Sequence, residues 1–305
     1  MKKKIIIVGG TGFLGFHLAK YLLKKKWKVL SISRTKPKKI RFLKNVKYLF
    51  VDITDKKKLF KKLSNHFNSE YIVNFGGEVE HRKLKNTLKS HYNGSKNLAS
   101  IFLTKPIKKF IQVGSSLEYG KQSSPHKENF KSKPNSNYSR AKFLATKNLM
   151  KLYKTKKFPV VILRPYQIYG PYQDANRLIP TVIQSCLKNE KFPCSHGLQY
   201  RDFLYIEDFV SFVFKVLIIK KLNGEIFNIG YGKAYKVKNI INSIKKSIKR
   251  GFPEFGKIKL RNDENLATYP SIEKAKRLIG WKPNLKFNKG IKKTINYYKN
   301  NKINE

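Results

Sequence analysis

Acidic side chains are scarce in this chain of 305 residues: 18 Asp and Glu stand against 67 Lys and Arg, for a formal net charge of +49. An excess of that size ordinarily points to nucleic acid or an anionic membrane as partner. Here the lysines are spread over every segment among many Ile and Asn, which reads as a bias in residue usage on solvated faces. A nucleic-acid partner is therefore not expected. Cysteine is scarcer still, with only Cys186 and Cys194, and their spacing suits neither a metal site nor a redox pair; a reducing compartment fits. Long apolar runs are missing as well. The basic start at Met1–Lys4 is followed by only four apolar residues, Ile5–Val8, too few for a signal-peptide core. Phe209–Ile219 is broken by Lys215 and cannot span a bilayer. A soluble, cytoplasmic protein without a membrane partner is the expectation. Internal repeats and low-complexity tracts are absent too.

What is present begins with Ile5–Val8, a buried-strand pattern that breaks into glycines at positions 9, 10, 12 and 15 before a helical pattern of Leu14, Leu18, Tyr21 and Leu22. Strand, tight turn and helix start suit a dinucleotide. Small residues let the backbone approach a pyrophosphate, while free N–H groups and the positive end of the helix dipole face the anion.

Further strand patterns follow at 28–33, 46–51, 71–75, 110–113 and 160–163, with helical segments between them, as around 93–102. Alternation of this kind predicts right-handed crossovers and an α/β fold, a doubly wound parallel sheet of Rossmann type. The second strand ends at Ser33 and Arg34, where an acidic residue would bind the free ribose of NAD. A small hydroxyl followed by arginine accommodates a 2'-phosphate instead, which favours NADP, with NAD as the other possibility. Asp52 closes the third strand, placed either to bond an adenine edge or to cap the turn. Asn74–Gly77 closes the fourth with small residues along the expected path of the coenzyme, where a turn role is the alternative.

Tyr138 and Lys142 stand four apart in a helical run through Ala141, Leu144, Ala145 and Leu149, so they share one face. A fixed ammonium stabilises a phenolate, so the pair can give a proton to a carbonyl or take one from an alcohol. Val113–Gly120 ends a strand in two hydroxyl residues. The carboxyl end of such a strand faces the ligand crevice, where Ser115 can bond the same oxygen as Tyr138 or simply form the turn.

Taken together, Gly9–Gly15, Asn93–Leu98, Ser115–Gly120, Tyr138 with Lys142, Leu163–Pro171, Arg201–Asp208, Phe227–Gly230 and Leu278–Pro283 resemble the extended short-chain dehydrogenase/reductase family. The resemblance is to its nucleotide-sugar epimerases, dehydratases and reductases, and it runs nearly end to end. It implies that Ser115, Tyr138 and Lys142 are the catalytic group, with Lys142 also holding the nicotinamide ribose. The coenzyme contacts it implies are Gly9, Thr11, Gly12, Phe13, Leu14, Gly15, Ser33, Arg34, Asp52, Ile53, Phe75, Gly76, Gly77, Asn93, Tyr138, Lys142 and Pro165. A nucleotide-sugar substrate would meet Ser115, Ser116, Gln167, Arg177 and Arg201. The expected division is a dinucleotide-binding domain at 1–163, rejoined by 201–232, and a smaller C-terminal substrate-binding lobe at 164–200 and 233–305. A homodimer through helices flanking the sheet is also implied, and no metal.

Relatives that remove water from the sugar carry an acidic residue one or two places after the Ser115 equivalent, where this chain has Ser116 and Leu117. Glu118 is out of step, and the following turn should aim it elsewhere. That leaves reduction of a 4-keto sugar nucleotide with NADPH as the leading expectation and 4-epimerisation with retained NAD as the alternative. A non-catalytic nucleotide- or RNA-binding module is the third reading. Such a module has no need to keep Ser115, Tyr138 and Lys142 together.

Overall fold

The computed structural model describes residues 2–77, 84–260 and 264–301. In chain order its strands are β1 Lys4–Val8, β2 Lys28–Ser33, β3 Val46–Phe50, β4 Tyr71–Asn74, β5 Lys109–Val113, β6 Val160–Pro165, β7 Gln167–Tyr169, β8 Lys191–Cys194, β9 Tyr200–Tyr205, β10 Ile226–Ile229, β11 Ala234–Lys236, β12 Phe252–Phe255 and β13 Ala267–Thr268. The helices are α1 Phe13–Lys24, α2 Lys56–Leu63, α3 Leu84–Leu88, α4 Gly94–Phe102, α5 Asn137–Lys156, α6 Leu178–Leu187, α7 Ile206–Ile218, α8 Val237–Ile248, α9 Glu273–Ile279 and α10 Phe287–Asn300.

The chain divides into two compact units, of which the first is Met1–Lys121, Glu128–Pro165 and Val210–Asn228. Its sheet has the strand order β10-β6-β5-β4-β1-β2-β3, and β1 to β6 run parallel. This is the expected doubly wound α/β architecture. Ile5, Ile6 and Ile7 are wholly buried in β1, because crossover helices cover both faces of a parallel sheet. α1 turns Phe16, Leu18, Ala19 and Leu22 onto it. The order reverses between β1 and β4, so a crevice opens at their carboxyl ends, beside Gly9 and Gly76.

The second unit is Gln122–Lys127, Tyr166–Phe209 and Ile229–Glu305. β9 is its centre, paired with β7, β11 and β13, while β8 pairs with β12. Asp202 on β9 accepts the N–H groups of Tyr231, Gly232 and Lys233 at 2.7, 2.7 and 3.1 Å. Asp208 accepts those of Asn284 and Leu285. The division differs from the expected one at several places: Gln122–Lys127 belongs to the second unit, the first unit runs to Pro165, and its later segment ends at Asn228. The return to the first unit, expected at 201, comes at Val210, because the strands paired with β9, namely β7, β11 and β13, belong to the second unit.

Candidate active site

The glycine turn is built as its spacing requires. Gly9 has φ +75° and donates to the Ile32 carbonyl at 2.7 Å, while Gly12 donates to the Gly9 carbonyl at 3.1 Å. Gly12 then caps α1 with no side-chain bond, and the first turn holds no acidic residue. The positive end of the helix is left for an anion. A Cβ on Gly15 would lie 2.4 Å from the Gly9 oxygen, so only glycine lets helix and turn pack this closely. Thr11, Phe13 and Leu14 are half-buried on the same turn.

At the end of β2, Ser33 Oγ is shielded from solvent with no hydrogen-bond partner among the described residues, and Arg34 beside it is exposed. The glycine cradle and this orphaned hydroxyl both fit a dinucleotide. Asp52 makes a turn contact, its Oδ1 accepting the Thr54 N–H at 2.8 Å. The Ile53 side chain lies against Gly76 and Gly94.

A buried polar chain holds the loop after β4. Gly76 donates to Asn74 Oδ1 at 2.9 Å, and Asn74 Nδ2 and Ser95 Oγ donate to Gln112 Oε1 at 2.9 and 3.0 Å. Sequence reasoning passed over Ser95 and Gln112, since one Gln in a strand carries no signature of burial. Phe75 continues the loop, donating to the Val8 carbonyl at 2.9 Å. Asn93 lies exposed in a π-helical turn, Lys89–Asn93, between α3 and α4.

α5 begins with a capping box in which Ser136 accepts the Ser139 N–H and the Ser139 hydroxyl accepts the Ser136 N–H, which fixes the first turn carrying Tyr138. Four residues on, Lys142 is buried and donates to the Val113 carbonyl at 2.8 Å. Burial pushes its ammonium down to about 8, against the opposing pull of Glu118. Lys142 Nζ lies 5.7 Å from the centre of the Tyr138 ring. The bond to Val113 ties α5 to the end of β5, two residues before Ser115, and α5 packs beside the turn Ser116–Tyr119. The expected trio is thereby gathered on neighbouring elements of one unit.

Ser115 Oγ accepts the Leu117 N–H at 3.1 Å, leaving its own hydrogen to donate. Ser116 is buried beside it. Glu118 points away, as its register suggested: Oε1 accepts the Ser115 N–H at 2.9 Å, and Oε2 pairs with Arg164 Nε and Nη2 at 3.1 and 2.9 Å. Pro165, at the end of β6, follows this arginine. His91 was not foreseen. Its buried ring meets the Tyr138 ring at 5.1 Å between centroids, with planes at 83°.

The remaining expected residues belong to the second unit. Gln167 is exposed on β7, and Arg177 is exposed at the start of α6. Arg201 is largely buried; it pairs with Glu264 and donates to the Tyr200 carbonyl at 2.7 Å. Glu264 lines a cavity of about 330 Å³ with Phe192, Cys194, Ser195 and Gln199. A cavity of about 580 Å³ in the first unit, lined by Trp27, Lys28 and His66, opens at the amino-terminal strand ends, away from the glycine turn. Among the described residues no group of three His, Cys, Asp or Glu can hold a metal, and no helix is long and apolar enough to cross a membrane.

Known proteins are similar to this chain over nearly its whole length. The dTDP-D-glucose 4,6-dehydratase of Homo sapiens is 29% identical over 322 residues, covering 98% of this chain and 91% of its own length. The UDP-glucuronate 4-epimerase of Thermodesulfobacterium geofontis is 25% identical over 318 residues, covering 97% and 96%. Among solved structures, Pal from Bacillus thuringiensis superposes with a TM-score of 0.90 at 25% identity, covering 97% of this chain and 99% of that one. A UDP-glucose 4-epimerase with UDP-glucose from Thermotoga maritima gives 0.92 at 23% identity, over 97% and 99%, and shows the fold alone. The glycine turn, the parallel sheet and the Tyr138–Lys142 helix all fall within residues 5–230, which match the family model, and the chain belongs to the NAD dependent epimerase/dehydratase family of enzymes.

Proposed function

We propose that this enzyme reduces a 4-keto sugar carried on a nucleotide, using NADPH. The observation that carries the reading is the fate of Glu118. Its carboxylate is committed to Arg164 and to the Ser115 N–H, and the two residues after Ser115 are Ser116 and Leu117. That turn offers no acid or base for removing water from the sugar, so the human dehydratase's reaction lacks its means here. When bound, the coenzyme supplies the hydride. The chain's residues do the rest. Tyr138 donates its phenolic proton to the carbonyl oxygen, Lys142 favours the resulting phenolate, and the Ser115 hydroxyl donates a second hydrogen bond to the same oxygen. Ser33 and Arg34 take the 2'-phosphate, and Arg201, Arg177 and Gln167 take the sugar nucleotide.

Tyr138→Phe tests this reading. Turnover of a keto-sugar nucleotide should fall by about a hundredfold or more, while NADPH binding, followed by fluorescence, stays intact; near-normal turnover sinks the assignment. Catalytic efficiency with NADPH should exceed that with NADH, and the reverse order defeats the role given to Ser33 and Arg34. A second reading, 4-epimerisation with retained NAD, is favoured by the similarity to the Thermodesulfobacterium geofontis epimerase. It requires sugar interconversion without net NADPH consumption.

A further inference from the structure

His91 stands between two parts of the candidate site that come from different elements. It lies in the π-helical turn Lys89–Asn93, and its ring is 4% exposed. A π turn holds one more residue than an α turn, so it aims side chains in directions an unbroken helix does not offer. On one side the ring occupies the space over Gly77: a Cβ there would lie 1.9 Å from His91 Cε1 and 2.0 Å from Nδ1. Only a glycine admits the imidazole. On the other side it meets Tyr138 edge to face, 5.1 Å away, an arrangement aromatic pairs favour. α5 packs on this π turn and on α3.

Tyr138 needs such a wall. It is the second residue of α5 and half-buried, so the helix start fixes its backbone, and the direction of its ring is set by the groups packed against it. An acid/base displaced by about 1 Å loses about a hundredfold in rate. We propose that His91 is a positioning residue, its ring wedged between Gly77 and Tyr138 so as to fix the phenol's orientation and join it to the loop Phe75–Gly77. The proposal rests on the reading of Tyr138 as the proton donor. The imidazole acts by shape and contact; it transfers no proton.

The test uses the whole enzyme labelled with ζ-¹³C tyrosine, with the Tyr138 resonance assigned by its loss in Tyr138→Phe. His91→Ala should shift and broaden that resonance, and His91→Phe should keep it sharp, with thermal melts confirming that each variant folds. In turnover assays His91→Ala should lower kcat about tenfold or more with KM nearly unchanged, the mark of an interaction made only in the transition state. His91→Phe should restore most of the rate. An unmoved resonance in His91→Ala overturns the proposal. So does a His91→Phe variant as impaired as His91→Ala beside an active His91→Gln, since the nitrogen would then matter and the ring would not. The resonance needs neither coenzyme nor substrate, so it reports on His91 even if no keto sugar is turned over and the reductase reading fails.

Discussion

Burial of Lys142, with its ammonium brought down to about 8, has consequences of opposite sign for rate and for stability. The ammonium proposed to favour the Tyr138 phenolate is present below that value and lost above it, so kcat should fall as pH rises through about 8; a profile flat well beyond it counts against the role of Lys142. Stability runs the other way. The unfolded chain holds this proton up to 10.5, so between the two values it binds more protons than the folded chain, and this group's contribution to stability rises with pH. Glu118 carries a different lesson. Its side chain is wholly buried against Arg164, itself 3% exposed, so Glu118→Gln strands a buried guanidinium and should cost about 3–5 kcal/mol in urea unfolding. An unchanged midpoint refutes the ion pair as a structural anchor. The sequence placed Glu118 out of step for elimination, yet nothing in it named Arg164, 46 positions away, as the partner.

The elements divide into those the sequence announced and those it did not. The glycine turn was legible because only small residues at that spacing allow strand, turn and helix to meet. Gly15→Ala puts a methyl 2.4 Å from the Gly9 oxygen and 2.6 Å from Gly10 Cα, so it should destabilise the fold by about 1–3 kcal/mol and weaken coenzyme binding. Gly12→Ala meets its nearest atom at 3.3 Å and should spare stability while still obstructing the coenzyme. Melting and coenzyme titration on the two variants separate packing from binding, and equal melting temperatures would contradict the difference in space. The π turn at Lys89–Asn93, in contrast, has no sequence signature. Nothing in its residues KSHYN marks the extra residue, and the turn packs against α5. The boundary at Val210 was hidden for a similar reason, because β9 is assigned by its hydrogen-bond partners and its own residues do not name them.

Across the whole molecule the dominant quantity is charge. The first acidic residue is Asp52, so every charged side chain in the β1-α1-β2-β3 segment is positive, and +49 in one folded chain is a large self-repulsion. Salt should relieve it. The Debye length shortens from about 30 Å at 0.01 M to about 3 Å at 1 M, so the melting temperature should climb as sodium chloride is raised, before any coenzyme is added. A flat or falling melting temperature would mean that ion pairs such as Lys293 with Glu207 outweigh the repulsion.

The amino-acid sequence by itself determined the parallel sheet, the coenzyme turn and the Tyr138–Lys142 pair. These are local patterns: apolar runs of strand length, glycine spacing, and a helical interval of four. Only the tertiary structure decided that Glu118 is spent on Arg164, that Gln112 and Ser95 hold the Gly76 loop, that Arg201 is paired with Glu264, and that the His91 ring meets the Tyr138 ring. Each of these joins residues far apart in the chain, and each partner is chosen by burial: a polar or aromatic group shut away from water is stable only where packing brings a matching group to it.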